Sequence, residues 1–232
     1  MRRRFFVDEV RNGHAEIEGD DARHLTRVLR VEVGQRYEIS DNRNVYLAEI
    51  ETARKEHVVF RTLEKLEANA PGPRLILCAA LIKFDHFEWM IEKATELGVG
   101  EIVPVETMRT EHGLERAAQK RIERWRRIAL EASQQSRRAF LPEIAEPLTL
   151  REALETEAAQ RIVLDEASNA PLVVAAGADP IALLVGPEGG WTDEERALFG
   201  NWKPASLGPL ILRAETAAIA ALAVVGAQSR AC

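Results

Sequence analysis

The sequence predicts an α/β protein in which a mostly parallel sheet, covered by helices on both faces, follows a small β-barrel. Three observations carry this. From Arg74 onward, continuous apolar runs such as "RLILCAAL" (74–81) and "IALLV" (181–185) alternate with helix-period segments, the pattern of strands buried on both faces. Before that point the chain reads as short β segments, Phe5 to Val7, Ala15 to Ile17, Tyr37 to Ile39, Val45 to Ile50 and Val58 to Leu63. Between the two regions, Pro71, Gly72 and Pro73 in "EANAPGP" (67–73) break both periodicities, so the expected domains are 1–68 and 74–232.

In the first region, "DDARHLTRVLR" is a helical interruption that sets Leu25, Val28 and Leu29 on a stripe, with Arg23, Arg27 and Arg30 around it. In the second, a helix over 85–98 closed by Gly98 leads to the strand "EIVPV" (101–105). Next come a basic helix, a helix in "LTLREALETE" (148–157) and the strand "RIVLDE" (161–166). After "IALLV" follow a helix from Asp193 to Phe199, a short strand near Ala205 to Leu207, and a last helix from about Glu215.

Composition bounds the function. A chain of 232 residues, 46% hydrophobic and 29% charged, fits one or two compact domains. The apolar run Phe5 to Val7 stops at Asp8, too early for a secretory signal, and no stretch approaches the roughly 20 apolar residues of a membrane span. Cys78 and Cys232 are far apart and lack metal or redox spacing, and the histidines show no zinc pattern, so a reducing cytoplasm is the expected compartment and no metal is expected. The net charge of −6 argues against indiscriminate nucleic-acid binding. Residues 109–138, however, hold nine Lys and Arg against four Glu. At 100° per residue, Arg116, Lys120, Arg124, Arg126 and Arg127 share one helical face opposite Ile122, Trp125 and Ala129. That face is either a phosphate dock or a solvated surface.

The densest signal is "IALLVGPEGGWTDEE" (181–195). Ligands of open α/β sheets gather beyond the carboxyl ends of strands, and Gly186, Gly189 and Gly190 let the backbone approach a ligand with no Cβ between. Thr192 and Glu195 form a capping-box pair that starts the next helix. The turn lacks the order of dinucleotide, phosphate-loop and nucleophile-elbow motifs. A second segment, "LGPLILRAETAAIAAL" (207–222), repeats the Gly-Pro pair as Gly208 and Pro209. Two such loops after neighbouring strands can clasp a flat ligand.

These two segments resemble the signatures of the RsmE family of SPOUT methyltransferases, which methylate N3 of a uridine in the small-subunit ribosomal RNA of bacteria. "FEWMIEKATELGV" (87–99), Arg109, "RWRRIALEASQQSRR" (124–138) and "ARHLTRVLR" (22–30) resemble further family segments, in order, over nearly the whole chain. The resemblance implies a PUA-like RNA-binding barrel, a SPOUT-type trefoil-knotted sheet, bound S-adenosylmethionine, and a homodimer acting on 16S rRNA within the assembled small subunit. It implies cofactor contacts from Leu164, Val185, Gly186, Pro187, Glu188, Gly189, Gly190, Leu207, Gly208, Leu210, Leu212 and Thr216. It also implies RNA contacts from Arg23, Arg27, Arg30, Lys83, Arg109, Arg124, Arg127 and Arg138. Departures from the family pattern are Phe84 in place of a glycine, His86 in place of a basic residue, Gln134 in place of glutamate and Arg137 in place of glycine.

The N3 proton of uridine must leave before the methyl arrives. Arg213 is the expected stabiliser of charge developing on a uracil carbonyl, and Glu188 or Glu215 is the candidate base. Each glutamate has a plainer reading, as a turn residue or a helix cap. A ribose 2′-O-methyltransferase of the same class and a noncatalytic RNA-binding or ribosome-assembly protein remain the alternatives.

Overall fold

The computed structural model describes residues 3–67 and 72–230. The centre of the expected linker and Cys232 lie outside the described residues. The chain divides into two compact units, one of residues 1–70 with 133–141, the other of residues 71–132 with 142–232.

The first unit contains β1 (Arg4–Phe6), β2 (His14–Glu18), α1 (Gly19–Arg27), β3 (Arg36–Ser40), β4 (Val45–Arg54) and β5 (His57–Leu66). The sheet order is β1-β3-β4-β5-β2, antiparallel except for β1 against β3. Alternation puts Ala15, Ile17, Val58 and Phe60 into one core with Phe5, Ile39 and Ile50. Register shifts between β4 and β5 mark bulges, which bend a sheet. α1 buries Ala22 and Leu25 but ends at Arg27, so Val28 is exposed rather than part of the expected stripe. Residues 133–141 join this unit through backbone acceptors that periodicity does not reveal. Arg4 Nη1 donates to Arg137 O at 2.8 Å, and Ser40 Oγ to Ala139 O at 2.6 Å.

The second unit contains, in order, β6 (Leu75–Ala80), α2 (Phe84–Glu96), β7 (Glu101–Glu106), α3 (Leu114–Gln119), α4 (Ile122–Ser136, its residues from 133 on counted with the first unit), β8 (Glu143–Ile144) and β9 (Leu148–Thr149). There follow α5 (Leu150–Leu154), β10 (Gln160–Leu164), β11 (Ile181–Val185), α6 (Asp193–Arg196), β12 (Lys203–Ala205) and α7 (Ala214–Arg230). The strands run β12-β10-β11-β6-β7-β8, with β9 also on β7, and every pairing is parallel. Both faces are covered, which explains the continuous apolar runs. Leu75, Leu77 and Ala79 of β6 pack with α2, α4 and α7, while Ile76 and Cys78 pack with α5, Trp191 and Trp202. Burial pushes the Cys78 thiol up to about 12, so it stays protonated and unreactive near neutral pH.

Four expectations shift. The basic helix is two helices, because the N–H groups of Lys120 and Arg121 bond back three residues, to Ala117 and Ala118, and close α3 in a tighter turn. Leu148 and Thr149 pair with β7, so the helix there begins only at Leu150, where Thr149 and Glu152 form a capping box. α6 spans Asp193–Arg196 and stops short of Phe199, whose ring is drawn into the core. β12 lies two residues earlier than expected, where Lys203, Pro204 and Ala205 pair with β10 at the sheet edge, a position that tolerates a strand proline. In α7, Ala218 and Ala221 are fully buried in the core while Ala223 is exposed.

Candidate active site

Because β10, β11 and β12 are parallel neighbours, the segments after them emerge at one end of the sheet. Those segments are Asp165 with Glu166, the glycine turn 186–190, and the loop 206–212. They line one cleft. Of the residues expected to contact a cofactor, all from Leu164 to Leu212 line it, whereas Thr216 does not and is exposed on α7. Asp165, Glu166 and Ser206 also line it, and no motif in the sequence points to them; Trp191, from the glycine-rich segment itself, lines it too.

The turn is bare where its glycines are. A Cβ on Gly186 would lie 2.9 Å from Trp191 Cε2, and one on Gly190 would lie 2.5 Å from Glu166 Oε1. Gly190 also holds φ at +71°, which a residue with a Cβ rarely adopts. Side chains fix this turn from outside. The Trp191 indole, buried, donates from Nε1 to Leu164 O at 2.8 Å. The Arg109 guanidinium donates to the carbonyl of Gly189. Glu195 closes the expected capping box with Thr192 and also accepts the Met108 N–H at 2.8 Å. The resemblance assigns Arg109 to RNA; this exposed side chain also braces the turn through that bond.

Behind the cleft, Arg196 grips Asp165 through Nη2 at 3.0 Å and Glu166 at the same distance. Burial raises the affinity of Asp165 for a proton, but the guanidinium and the Ala167 N–H outweigh it and hold the carboxyl below its ordinary value. Its stabilising charge is therefore present above the ordinary carboxylate range and is lost only as the pH falls through the lowered value.

Beside the turn lies a group that the sequence does not announce. His86 Nδ1 stands 3.0 Å from Glu215 Oε1 and 4.0 Å from Glu188 Oε1, so an imidazole and both candidate bases are clustered. A ring nitrogen and two carboxylate oxygens there lie within 4.8 Å of one another. Glu215 is buried, and its Oε2 has no hydrogen-bond partner among the described residues. Arg213, one residue before α7, is exposed. Its carbonyl accepts the Ala217 N–H at 2.8 Å, which sets the helix start, and its side chain makes no ion pair among the described residues.

The expected RNA-contact residues divide into engaged and open groups. Arg124 forms a two-pronged bond to Glu88 at 2.7 and 2.8 Å, and Arg121 reaches the same carboxylate at 2.9 Å. These bonds hold the Glu88 carboxyl below its ordinary value. Arg127 pairs with Glu131, and Arg23 with Asp20 and Glu56. Arg138 is half-buried, and desolvation lowers its guanidinium to about 10. Arg27, Arg30 and Lys83 are exposed and make no ion pair among the described residues.

Known proteins resemble the chain over most of its length. Residues 69–226 match the family model for an RNA methyltransferase domain, and residues 17–63 match that for an RNA methyltransferase PUA domain. The chain is 36% identical to ribosomal RNA small subunit methyltransferase E of Synechocystis over 88% of its length and 70% of the relative. It is 28% identical to the Aquifex aeolicus protein of that name over 95% of this chain and 97% of the other. The crystal structure of the Neisseria gonorrhoeae protein of that name, bound to S-adenosylmethionine, superposes with a TM-score of 0.89 at 27% identity and covers 98% of each chain.

Proposed function

The chain belongs to the RNA methyltransferase family that contains ribosomal RNA small subunit methyltransferase E, and from that membership we propose that it methylates N3 of a uridine in 16S rRNA with S-adenosylmethionine. Its fold is the SPOUT-type knotted parallel sheet with an N-terminal PUA-like barrel. One observation carries the reading: a glycine-rich turn and a second Gly-Pro loop line a single cleft, and a cation and an imidazole–carboxylate pair lie on neighbouring segments.

The cleft fits the cofactor in kind. Leu164, Val185, Leu207 and Leu212 offer apolar surface to an adenine, the bare turn offers backbone groups to its edge, and Glu166 and Glu188 offer carboxylates to the cationic portion. Bound S-adenosylmethionine supplies an electrophilic methyl group; activating the acceptor falls to the chain. Arg213 stabilises negative charge on a uracil carbonyl oxygen as N3 loses its proton. The target base is taken out of its stack to reach the site. In this reading the protein works as a homodimer in the cytoplasm on the assembled small subunit. Separately, no helix among the described residues is long and apolar enough to cross a membrane.

Mass spectrometry of 16S rRNA nucleosides from a strain lacking the protein, and from the same strain with it restored, tests this reading. Loss and return of 3-methyluridine is expected; a 2′-O-methylated nucleoside in its place, or no change, overturns it.

Gly190→Ala forces a left-handed φ on a residue with a Cβ and displaces Glu166. It is expected to cost about 1–2 kcal/mol of stability in denaturant melts and to weaken cofactor affinity about tenfold by calorimetry. Reversing Arg27 and Arg30 to glutamate should lower RNA affinity and flatten the slope of log K against log salt by about 1 to 2, whereas Arg124→Gln should change that slope far less, because Glu88 already neutralises Arg124.

A further inference from the structure

We propose that His86 is the catalytic base of the transfer, taking the N3 proton of uridine through Nε2, with Glu215 as the residue that positions its ring. This deepens the proposed function and rests on it.

Hydrogen-bond capacity decides the tautomer. An ionised carboxylate only accepts, so the 3.0 Å contact to Glu215 Oε1 requires the proton of a neutral His86 ring to sit on Nδ1. Nε2 is then left with its lone pair. The nearest carboxylate to it, Asp85 Oδ2, is 3.7 Å away, beyond hydrogen-bond range. His86 is partly exposed, whereas Glu215 is nine-tenths buried with Oε2 unpartnered, so the carboxylate is the inner member of the pair and the imidazole the outer one. A buried glutamate behind a solvent-reachable imidazole is the arrangement in which the carboxylate orients the ring and the ring exchanges the proton. That assigns the two candidate glutamates supporting positions and the proton to a residue that stands where the family pattern has a basic side chain.

Protons and electrons balance in the step. The Nε2 lone pair forms a bond to the N3 proton, and the N3–H electron pair stays on N3 with its charge shared by the carbonyl oxygens near Arg213. That pair forms the N3–CH3 bond as the methyl's bond to sulfur breaks and its electrons pass to sulfur. His86, now an imidazolium, gives its proton to water. Three carboxylates face the imidazolium: Asp85 from its own helix, Glu188 from the glycine turn and Glu215 from α7. The positive end of α2 opposes them, and on the α4 side Arg121 and Arg124 are tied to Glu88.

The test compares wild-type protein with His86→Asn, His86→Gln and Glu215→Gln, after melting midpoints establish that each is folded. Single-turnover formation of 3-methyluridine is followed against pH, cofactor affinity is measured by calorimetry, and the tautomer of 15N-labelled histidine is read by NMR in the protein alone. We expect both His86 variants to be about 10²- to 10⁴-fold slower near neutral pH with cofactor affinity within about twofold of wild type. Their residual rate should climb with pH across the range where wild type has levelled. The wild-type spectrum should show Nδ1 protonated and Nε2 free, and Glu215→Gln should shift the ring towards the other tautomer and slow transfer. His86 variants as fast as wild type, or a wild-type ring protonated on Nε2, would overturn the assignment while leaving the methyltransferase reading intact. So would turnover abolished by EDTA and restored by a divalent cation, which would give the same three groups to a metal. A wild-type protein that makes no 3-methyluridine would overturn both.

Discussion

Replacing Arg213 with alanine is expected to slow methyl transfer about 10²- to 10³-fold, equivalent to about 3–4 kcal/mol of transition-state stabilisation, while cofactor affinity changes by less than about twofold. The separation follows from position. Arg213 does not line the cleft formed by the two loops, it makes no ion pair among the described residues, and its backbone already has a task in starting α7. Truncating the side chain therefore removes a positive charge without disturbing the turn or the helix. Arg213→Lys should recover only part of the rate, because an ammonium keeps the charge but not the planar fork of donors. Single-turnover rates with a saturating donor, alongside calorimetry, distinguish the two quantities. Wild-type rates in the alanine variant would remove Arg213 from the chemistry.

The largest stability effect is expected at Trp191. This side chain is 2% exposed, meets Phe199 edge to face at 5.2 Å, donates to Leu164 O, and forms the wall against which Gly186 packs. Trp191→Ala opens a cavity in the core and leaves a buried carbonyl without its donor, at a cost of about 3–5 kcal/mol in denaturant unfolding. Trp191→Phe fills most of the space but lacks the N–H, so it should lie between the two. A variant with the wild-type midpoint would mean that the turn is supported by the neighbouring loop alone.

The two parts of the chain differ in how legibly they declare themselves. β6 and β11 are visible as apolar runs because the sheet is buried on both faces, so every residue of each strand must be apolar. The glycine turn is visible because three glycines in five residues mark a backbone that must pass close to its surroundings, and the Thr192–Glu195 cap follows directly from spacing. The pairing of His86 with Glu215 spans 129 residues, and nothing in either local segment encodes it. The same holds for Glu88, whose pairing with Arg124 removes part of a basic face that looks open when the helix is considered alone. Periodicity also fails where a tertiary contact overrules it. Leu148 and Thr149 have helical neighbours but extend to pair with β7, and residues 133–141 leave the second unit because their carbonyls accept bonds from Arg4 and Ser40. His86 stands out in the sequence as a departure from the family pattern, but its chemistry emerges only with its partners in place.

The turn at Gly186–Gly190 is held by Trp191 behind it, by Arg109 on one carbonyl and by the tie between Glu195 and Met108. A segment rich in glycine would otherwise sample many shapes, and immobilising it at the moment of capture would subtract from affinity. Here the freezing occurs during folding. A small molecule that meets this turn therefore finds its backbone groups already placed, so ordering the turn does not subtract from affinity.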